Sequence, residues 1–489
     1  MFEAVELGQK LSKDNYKQVV PQLRVDLVNA QYELRQANFP VIILILGDDR
    51  HACNAVLNSL MEWMDARYIE AFYFGRPSQE EQQRPRFWRY WYVLPPQGKI
   101  GVFMGAWAAS ALAERVREEI DNAEFEQRCQ HICRFEQALA DDGALILKFW
   151  LHLPKAIHEQ RRKKNSRNGW TDDRTWAVYE SYDDAIRVGE QLVRLTSTAM
   201  APWILVDSSN SRYRIVTVAQ AILSALAARS QNGPAQERPV ALPATVTLPN
   251  YQQTVLSTVD LSASIVWEDY RPQLDQYQAK LHKLTRKAFQ AGLSTVLVFE
   301  GWDAAGKGGV IRRLTQAMDA EVYKVIPIGA PTDEEKAHHY LWRFWRHLHR
   351  AGKVLIFDRS WYGRVLVERV ENFASEPEWQ RSYSEINDFE EQLTGHGIIL
   401  LKFWLHIDAD EQLRRFQQRE NTPYKKYKIT EEDYRNRERW HDYEVAVSDM
   451  VTNTSTEFAR WQLIPATDKR YARVQVIQTL CQALKQHLT

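Results

Sequence analysis

A glycine-rich segment with a single lysine is the strongest chemical signal in this sequence. Residues 301–309 read GWDAAGKGG and match G-x-x-x-x-G-K, the spacing of loops that bind phosphate groups. In such a loop, backbone N–H groups at the start of a helix face the phosphate oxygens, and the lysine reaches the terminal phosphates. The apolar run before the segment and the helical pattern after it favour this interpretation over a flexible glycine turn. The predicted phosphate-binding residues are Gly301, Ala304, Ala305, Gly306, Lys307, Gly308 and Gly309, with Arg312 on the helix that follows.

Two acidic residues are candidates to hold Mg²⁺. Ordinary phosphate loops bind the metal through a Ser or Thr hydroxyl directly after the lysine, but Gly308 occupies that position here. A carboxylate must therefore supply the oxygen, and Asp303 inside the loop is suited to this role as well as to capping the following helix. Asp358 comes directly after the apolar run KVLIF, at the end of a predicted strand, where parallel α/β sheets bind ligands. Asp303 and Asp358 are the predicted metal ligands.

Arginines follow the second acid. Arg359 is adjacent to Asp358, and Arg364 and Arg369 lie beyond it. An arginine beside a phosphate loop neutralises charge that develops on a transferred phosphoryl group. A surface ion pair is the alternative for each arginine taken alone, but the adjacency to Asp358 favours a catalytic role for Arg359.

Two further stretches are basic. Residues 337–357 contain arginines, a lysine and four histidines but no acid, and residues 422–428 (TPYKKYK) add three lysines. The whole chain has 63 Lys and Arg against 63 Asp and Glu, which argues against a wholly basic nucleic-acid-binding protein. The stretches predict a local basic surface for an extended phosphate polymer, with a solvated helix face as the alternative.

The sequence pattern of the elements that must position these residues occurs twice in the chain. A constant offset of 254 residues relates the two halves over more than a hundred positions, and KFWLH occurs at both 148–152 and 402–406. The offset becomes 258 near the end, which indicates four inserted residues in the second copy. The offset of 254 pairs Gly47 with Gly301, Asp49 with Asp303, Gly75 with Gly329, Trp88 with Trp342, Trp91 with Trp345 and Trp107 with Trp361.

The first copy lacks the chemical residues of the second. Ala52 and Cys53 replace Gly306 and Lys307, and the positions of Asp358, Arg359 and Arg364 are also changed. We therefore expect residues 1–228 to form a degenerate, non-catalytic domain and residues 251–489 to form the catalytic domain. The four prolines of residues 229–250 predict a linker between them. The residues that replace Asp358, Arg359 and Arg364 are Met104, Gly105 and Ser110.

Each copy has the pattern of an α/β domain. Short apolar runs at 41–46, 295–299, 353–357 and 398–403 predict buried strands, and they alternate with longer helical patterns. This alternation predicts a mostly parallel sheet in a three-layer α/β/α arrangement. The longest clean apolar run, 41–46, is too short to cross a membrane, and the N-terminal residues do not resemble a secretory signal. The sequence predicts a cytoplasmic protein with no membrane partner.

At these residues the sequence resembles the polyphosphate kinase 2 family, in particular its two-domain members. The similarity covers nearly the whole chain, including the tandem arrangement. The motifs that support it are GWDAAGKGG (301–309), GAPTDEEKAHHYLWRFWRHL (329–348), FDRSWYGRVLVERV (357–370) and KKYKITEEDYRNRERWHDYE (425–444).

The resemblance implies a P-loop kinase-like fold with a helical lid over residues 422–433. It also implies Mg²⁺ dependence, inorganic polyphosphate as the phosphoryl donor and, in two-domain members, AMP as the acceptor that becomes ADP. Lys425 and Lys426 lie in the implied lid, where we expect them to contact phosphates. The family's active-site positions correspond to Asp303, Lys307, Asp358, Arg359, Arg364 and Glu368.

Two other functions remain compatible with the sequence. An ATP-dependent nucleoside monophosphate kinase would need the same loop and differs only in its donor. A regulator that binds polyphosphate or nucleotide without turnover is the other alternative, although the intact Lys307, Asp358 and Arg359 argue against it for the whole chain. The oligomeric state is left open, and a homo-oligomer is compatible with the sequence.

Overall fold

Two five-stranded parallel sheets organise the chain. The computed structural model describes residues 1–167, 181–232, 254–422 and 431–488. Within these ranges the strand orders are β2-β3-β1-β4-β5 and β7-β8-β6-β9-β10, so that the two sheets have the same topology. The predicted duplication of a parallel α/β domain is confirmed. The strands are β1 (Val41–Gly47), β2 (Ile69–Tyr73), β3 (Ile100–Met104), β4 (Leu145–His152), β5 (Trp203–Asp207), β6 (Thr295–Gly301), β7 (Tyr323–Pro327), β8 (Val354–Asp358), β9 (Ile399–His406) and β10 (Trp461–Pro465).

Helices connect the strands of both sheets, as parallel pairing requires. Those of the first half are α1 (Lys13–Leu34), α2 (Arg50–Trp63), α3 (Gln79–Gln82), α4 (Trp88–Trp91), α5 (Trp107–Val116), α6 (Asn122–Asp141), α7 (Lys155–Arg167), α8 (Tyr182–Thr196) and α9 (Ser211–Asn232). Those of the second half are α10 (Trp267–Gln290), α11 (Lys307–Thr315), α12 (Asp333–Lys336), α13 (Trp342–Trp345), α14 (Val367–Val370), α15 (Glu376–Gly395), α16 (Ala409–Glu420), α17 (Glu431–Glu438), α18 (Trp440–Thr454) and α19 (Lys469–His487).

The described residues divide into two compact units. The first unit contains the sheet of β1 to β5 and comprises residues 1–78, 89–232 and 332–339, apart from the gap given above. The second unit contains the sheet of β6 to β10 and comprises residues 79–88, 254–331 and 340–488, again apart from its gap. None of the described helices combines the length and the apolar character needed to cross a lipid bilayer.

The centre of the second sheet is β6, which pairs with β8 on one side and β9 on the other. Its residues Val296 to Phe299 are fully buried, which explains why this strand is a continuous apolar run rather than an alternating one. The strands predicted at 295–299, 353–357 and 398–403 are all present, with bounds that differ by at most three residues. The loop that follows β6 and the loop that follows β8 therefore begin side by side.

One boundary predicted from the sequence is shifted. Residues 229–232, which the sequence assigns to the linker, continue helix α9 as far as Asn232. The guanidinium of Arg229 donates to the Gly143 carbonyl oxygen at 2.7 Å, which holds this last part of the helix against the loop before β4. Residues 233–250 of the predicted linker and residues 423–430 of the predicted lid lie outside the described residues.

A buried lysine on the fourth strand of the second sheet joins several elements. The Lys402 ammonium donates to Glu390 Oε2 on α15 at 2.7 Å, to the Thr454 carbonyl oxygen at 2.7 Å and to the Tyr362 hydroxyl at 2.9 Å. The side chains of Lys402 and Glu390 are both fully buried, and the burial raises the pKa of Glu390. Trp361 Nε1 and the Tyr362 hydroxyl donate to the other oxygen of this carboxylate.

The first sheet contains the same arrangement. Lys148 on β4 donates to Glu136 Oε2 and to the Thr196 carbonyl oxygen, both at 2.6 Å, and Trp107 Nε1 donates to Glu136 Oε1 at 2.8 Å. This network accounts for the repeated KFWLH segment. The lysine cannot be replaced alone, because the glutamate would then remain buried without its counter-charge.

We expect Lys402→Met and Lys148→Met each to destabilise the protein by about 3–5 kcal/mol, because each leaves a buried carboxylate unpaired. The measurement is the thermal unfolding midpoint of each full-length variant. As a control, Lys402→Met combined with Glu390→Met removes both charges and should recover most of the lost stability. An unchanged midpoint in the single variants would contradict this account of the network.

Candidate active site

The phosphate loop begins where β6 passes very close to β9. Gly301, the last residue of β6, has φ of +149°, and a Cβ atom at this position would lie 2.6 Å from the Leu405 carbonyl oxygen. A side chain is therefore excluded here by both the backbone conformation and the contact. At this close approach β6 ends, and the chain leaves the sheet and enters the loop that leads to helix α11.

The loop itself is held in shape by a buried arginine. Arg415 on α16 donates to the carbonyl oxygens of Ala304 and Ala305, both at 2.9 Å, and to those of Ala466 and Thr467 at 2.7 and 3.0 Å. Ala304 has φ of +63°, a conformation that costs about 1–3 kcal/mol in a residue with a side chain. The hydrogen bonds of Arg415 to Ala304 and Ala305 hold the loop in this conformation, and those to Ala466 and Thr467 anchor the arginine itself.

Helix α11 starts directly from the loop. Gly306 is its N-cap residue with φ of +112°, and Lys307 is its first residue. No side chain caps this helix, so that its first N–H groups remain available to an anion. The ammonium of Lys307 donates to the Gly301 carbonyl oxygen at 2.5 Å, which places its charge at the mouth of the loop.

Asp303 links the loop to three other parts of the second unit. Its carboxylate lies 3.3 Å from Arg359 Nη2 and accepts from Asn436 Nδ2 at 3.2 Å, and its carbonyl oxygen accepts from Gln412 Nε2 at 3.2 Å. The side chain of Asp303 is 20% exposed, so that it remains accessible to a ligand. The predicted role of Asp303 as the cap of α11 is wrong, because its carboxylate makes contacts away from the helix N–H groups.

The second predicted acid lies at the neighbouring strand end. Asp358 is the last residue of β8 and stands beside Phe299 of β6 in the parallel register. Arg359 follows it with φ of +65°, and its N–H donates to the Phe299 carbonyl oxygen at 3.1 Å. This unusual conformation turns the chain so that the Arg359 guanidinium reaches Asp303.

A third carboxyl group, that of Glu300, lies near the end of β6. Glu300 is buried, and its Oε1 accepts from the Ser360 hydroxyl at 2.8 Å. Burial raises the pKa of Glu300, while the nearby charges of Lys307 and Arg359 oppose the shift. Glu300 therefore ties the end of β6 to the segment that carries Asp358 and Arg359.

Arg364 and Glu368 form a pair of their own. Arg364 Nη1 lies 3.0 Å from Glu368 Oε2, and the guanidinium also stacks over the Tyr340 ring at 4.6 Å. Neither side chain is among those that line the cavity next to Lys307, although Gly363, Leu366 and Val367 of the same segment are. The structure thus places this pair beside the cavity rather than in it.

The cavity next to Lys307 has a volume of about 90 Å³ and one aromatic wall. The rings of Trp302 and Trp440 are stacked with centroids 3.7 Å apart. Trp302 Nε1 donates to His406 Nδ1 at 3.0 Å, and burial lowers the pKa of His406 to about 4, so that this imidazole is a neutral acceptor. The cavity thus combines a flat aromatic surface with the charges of Asp303, Lys307 and Arg359.

The structure brings most of the predicted site residues together. Asp303, Lys307 and Arg359 line one cavity, and Asp358 stands on the adjacent strand. Arg312 is exposed on α11 and does not line this cavity. Lys425 and Lys426 lie outside the described residues.

Sequence reasoning missed Glu300, Gln412, Asn436 and Trp440. Glu300 had a usable signal, because it is an acid at the end of an apolar strand where the first copy has Leu46. Gln412, Asn436 and Trp440 reach the loop from helices more than a hundred residues away, and although Asn436 and Trp440 lie in the motif of residues 425–444, no local spacing connects them with the loop.

The acids present suit a magnesium ion that is shared with phosphate. Among the described residues, no group of three or more His, Cys, Asp or Glu side chains forms a cage for a metal ion. Mg²⁺ is commonly held by one or two carboxylates together with substrate phosphates and water. Asp303 and Asp358, at adjacent strand ends, match that donor set.

The same loop in the first unit is closed by its own side chains. Asp49 Oδ1 accepts from the Ala52 N–H at 3.1 Å, and Asp49 Oδ2 accepts from the Ser208 hydroxyl at 3.2 Å and pairs with Arg161. Asp48 Oδ2 accepts from the Leu153 N–H at 3.0 Å. Carboxylates thus stand where the second unit has Trp302 and an uncapped helix start.

Comparison with known proteins identifies a family. The model of the polyphosphate kinase 2 family matches residues 10–234 and 265–489, one match in each half. A polyphosphate:AMP phosphotransferase of Pseudomonas aeruginosa is 47% identical over 491 residues, which cover 99% of both chains. Proteins of the same description from Pseudomonas syringae and Acinetobacter johnsonii are 44% and 36% identical over at least 95% of each chain.

A solved structure agrees with these matches. A crystal structure described as a polyphosphate kinase 2 from Pseudomonas aeruginosa superimposes with a TM-score of 0.89 at 46% identity. The superposition covers 100% of this chain and 99% of the other. The tandem architecture is therefore shared along the whole length.

We expect Gly301→Ala to destabilise the protein by about 1–3 kcal/mol or more, because the methyl group would meet the Leu405 backbone in a strained conformation. Gly308→Ala is the matched control in the same loop, since a Cβ there has no heavy atom within 4 Å. Its stability should be unchanged or slightly higher. Thermal unfolding of the two variants checks this, and equal midpoints would argue against the close approach of β6 and β9.

Proposed function

The chain belongs to the polyphosphate kinase 2 family, and on this premise we propose that it transfers a phosphoryl group from inorganic polyphosphate to AMP, giving ADP. The observation that carries the proposal is the meeting of Asp303, Lys307 and Arg359 in one cavity of the second unit. The activity in the names of relatives that match along the whole chain supplies the donor and the acceptor.

The reaction exchanges one phosphorus–oxygen bond for another. A phosphate oxygen of AMP attacks the terminal phosphorus of polyphosphate, and the bond from that phosphorus to the bridging oxygen breaks. The products are ADP and a polyphosphate shorter by one unit. Because the bond that forms and the bond that breaks are of the same kind, the reaction runs in both directions.

The residues of the second unit supply position and charge. The first N–H groups of α11 and the Lys307 ammonium bind the phosphate oxygens of the donor. Arg359 neutralises negative charge that develops on the transferred group. The AMP phosphate is an anion at neutral pH, so that no general base has to remove a proton from it. The buried Glu300 positions Ser360 and the segment around Arg359.

Asp303 and Asp358 are the residues that would hold Mg²⁺. The ion supplies charge neutralisation for the reacting phosphates when it is bound. Asp303 also pairs with Arg359, so that the same carboxylate orients the arginine. Gly308 adds no side-chain oxygen, which leaves the two carboxylates as the protein's contribution.

The proposal assigns no catalysis to the first unit. Residues 1–232, which include the whole of α9, are the non-catalytic domain, residues 233–250 are the connection, and residues 251–489 are the catalytic domain. The cap of α2 supports this assignment, since the Asp49 carboxylate accepts from the Ala52 N–H and so occupies a helix N–H group that a phosphate would need. Cys53, at the position of Lys307, is buried and has no charge to offer, because burial raises the pKa of its thiol.

We expect Lys307→Ala to lower kcat for ADP formation from AMP and polyphosphate by about a hundredfold to a thousandfold or more, because the lysine's charge acts on the transferred phosphate. The matched control is Cys53→Ala at the same position of the first unit, which should keep the wild-type rate. Each variant is assayed with polyphosphate and, separately, with ATP as donor. A normal rate of ADP formation by Lys307→Ala would overturn the proposal. So would a wild-type protein that forms ADP with ATP as donor but not with polyphosphate.

We expect Asp303→Asn and Asp358→Asn each to raise steeply the Mg²⁺ concentration needed for half-maximal activity, because each removes a hard anionic ligand. Titration of activity against Mg²⁺ measures this. Asp49→Asn, at the position of Asp303 in the first unit, should leave the Mg²⁺ requirement unchanged. Equal wild-type activity with excess Mg²⁺ and with a chelator would refute the metal's role.

A further inference from the structure

Besides the phosphate loop, two separate parts of the second unit line the cavity next to Lys307. One is the segment that leads into the short helix α14, which we call the α14 wall, and the other comes from α17 and the start of α18, which we call the α17 wall. The two walls lie far apart in the chain, so that their positions relative to each other depend on side-chain contacts. The lining residues are Gly363, Leu366 and Val367 in the α14 wall and Asn436, Trp440 and Tyr443 in the α17 wall.

A single carboxylate, that of Glu371, joins the two walls. Glu371 directly follows α14, and its side chain is only 10% exposed. Its Oε2 lies 3.5 Å from Arg435 Nε, and its Oε1 lies 3.6 Å from Arg439 Nη1. Arg435 and Arg439 stand on either side of Asn436 in the chain. The carboxylate at the end of α14 thus holds the α17 wall at two points.

Glu371 depends on these arginines for its counter-charge. Its Oε1 is buried and accepts no hydrogen bond from the residues that the structure describes. A carboxylate that has lost its contact with water is stable only beside positive charge. The two guanidinium groups supply that charge and are attracted toward α14. Arg439 also donates to the Val370 carbonyl oxygen, at the same end of this helix.

The α14 side of this contact is fixed independently. Arg369 donates to the Tyr383 hydroxyl at 3.0 Å and to Asp449 Oδ2 at 2.8 Å, which ties α14 to α15 and to α18. The same guanidinium lies 4.1 Å from the centroid of the Trp379 ring. Glu371 therefore extends from an anchored helix, and the segment that it positions is the α17 wall.

The α17 wall carries contacts to the phosphate loop. Asn436 Nδ2 donates to Asp303 Oδ2 at 3.2 Å, and the Trp440 ring stacks on Trp302. A shift of this wall would change the shape of the cavity and the orientation of the Asp303 carboxylate together. Glu371 thus acts on the site from outside it, since it is not among the residues that line the cavity.

The first copy provides an internal comparison. The buried contacts between tryptophan and glutamate described above show that the offset of 254 holds on both sides of residue 371. At this offset Arg117 occupies the position of Glu371, so that the charge is reversed. A carboxylate that the fold required would have been kept in both copies. The difference associates Glu371 with the unit that has kept Lys307.

We propose that Glu371 is a positioning residue, which holds the α17 wall against α14 and thereby gives the cavity next to Lys307 the shape that binds the acceptor nucleotide. This inference rests on the proposed function. The acceptor is the substrate with a purine base, and the stack of Trp302 and Trp440 offers the flat aromatic surface that suits such a base. Glu371 acts through Arg435 and Arg439 and does not touch the substrate.

The first test compares Glu371→Gln with Asp442→Asn. Both remove a carboxylate that pairs with Arg439, but Asp442 is exposed and belongs to α18 itself, so that its pairing joins no second element. We expect Glu371→Gln to raise the KM for AMP about tenfold and to change the KM for polyphosphate by less than about twofold, because the donor binds at the start of α11. Asp442→Asn should change neither. An unchanged KM for AMP in Glu371→Gln, or an equal rise for both substrates, would overturn the inference.

A double-mutant cycle tests whether Glu371 acts through α17. Arg435 is 55% exposed, so that Arg435→Met should fold normally. We expect this substitution to raise the KM for AMP in the wild-type background and to have little further effect in Glu371→Gln, because the contact that it removes is already weakened there. Thermal unfolding midpoints of the three variants confirm that each is folded in the assay. Additive effects of the two substitutions on the KM for AMP would refute the role of Glu371.

The failure of this inference differs from a failure of the proposed function. Absence of ADP formation from AMP and polyphosphate in the wild-type protein would remove the proposed function itself. Normal wild-type turnover with an unaltered KM for AMP in Glu371→Gln would remove only the positioning role of Glu371.

Discussion

The pairing of Lys402 with Glu390 is the interaction on which the second unit's arrangement depends. An ammonium group in a protein interior is stable only when its charge is paired and its hydrogens have acceptors. Here the acceptors come from α15, from the end of α18 and from Tyr362, so that three separate parts of the chain are held against β9. Tyr362 lies shortly after Asp358, and the pair therefore also positions the segment that leaves the end of β8.

The phosphate loop adds a second constraint, which is steric and polar at once. The close approach of Gly301 to Leu405 leaves no room for a side chain, and Arg415 holds the carbonyl oxygens of the loop. Ala304 in the loop after β6 and Arg359 in the loop after β8 both adopt positive φ, although both carry side chains. Such conformations persist where surrounding contacts outweigh their cost, and here they accompany the placement of Lys307 and Arg359 at one cavity.

The duplication separates the requirements of the fold from those of the chemistry. Both units keep the buried lysine, its glutamate and the strand order. In the first unit the Asp49 carboxylate caps the start of α2, and a buried cysteine, Cys53, occupies the position of Lys307. The sheet and its buried ion pair are thus common to both units, whereas the uncapped helix start beside Lys307 belongs to the second unit.

The sequence by itself determined the parallel α/β class and the duplication, and it predicted the phosphate loop and the acids Asp303 and Asp358. These follow from apolar periodicity, from a constant spacing and from residue types that act within a few positions of one another. Only the tertiary structure decided that Glu300 is buried, that Asp303 contacts Asn436 and Arg359, and that two arginines of the α17 wall meet the carboxylate after α14. Such contacts join residues far apart in the chain, and a pattern confined to one segment holds no information about which distant side chain packing brings against it.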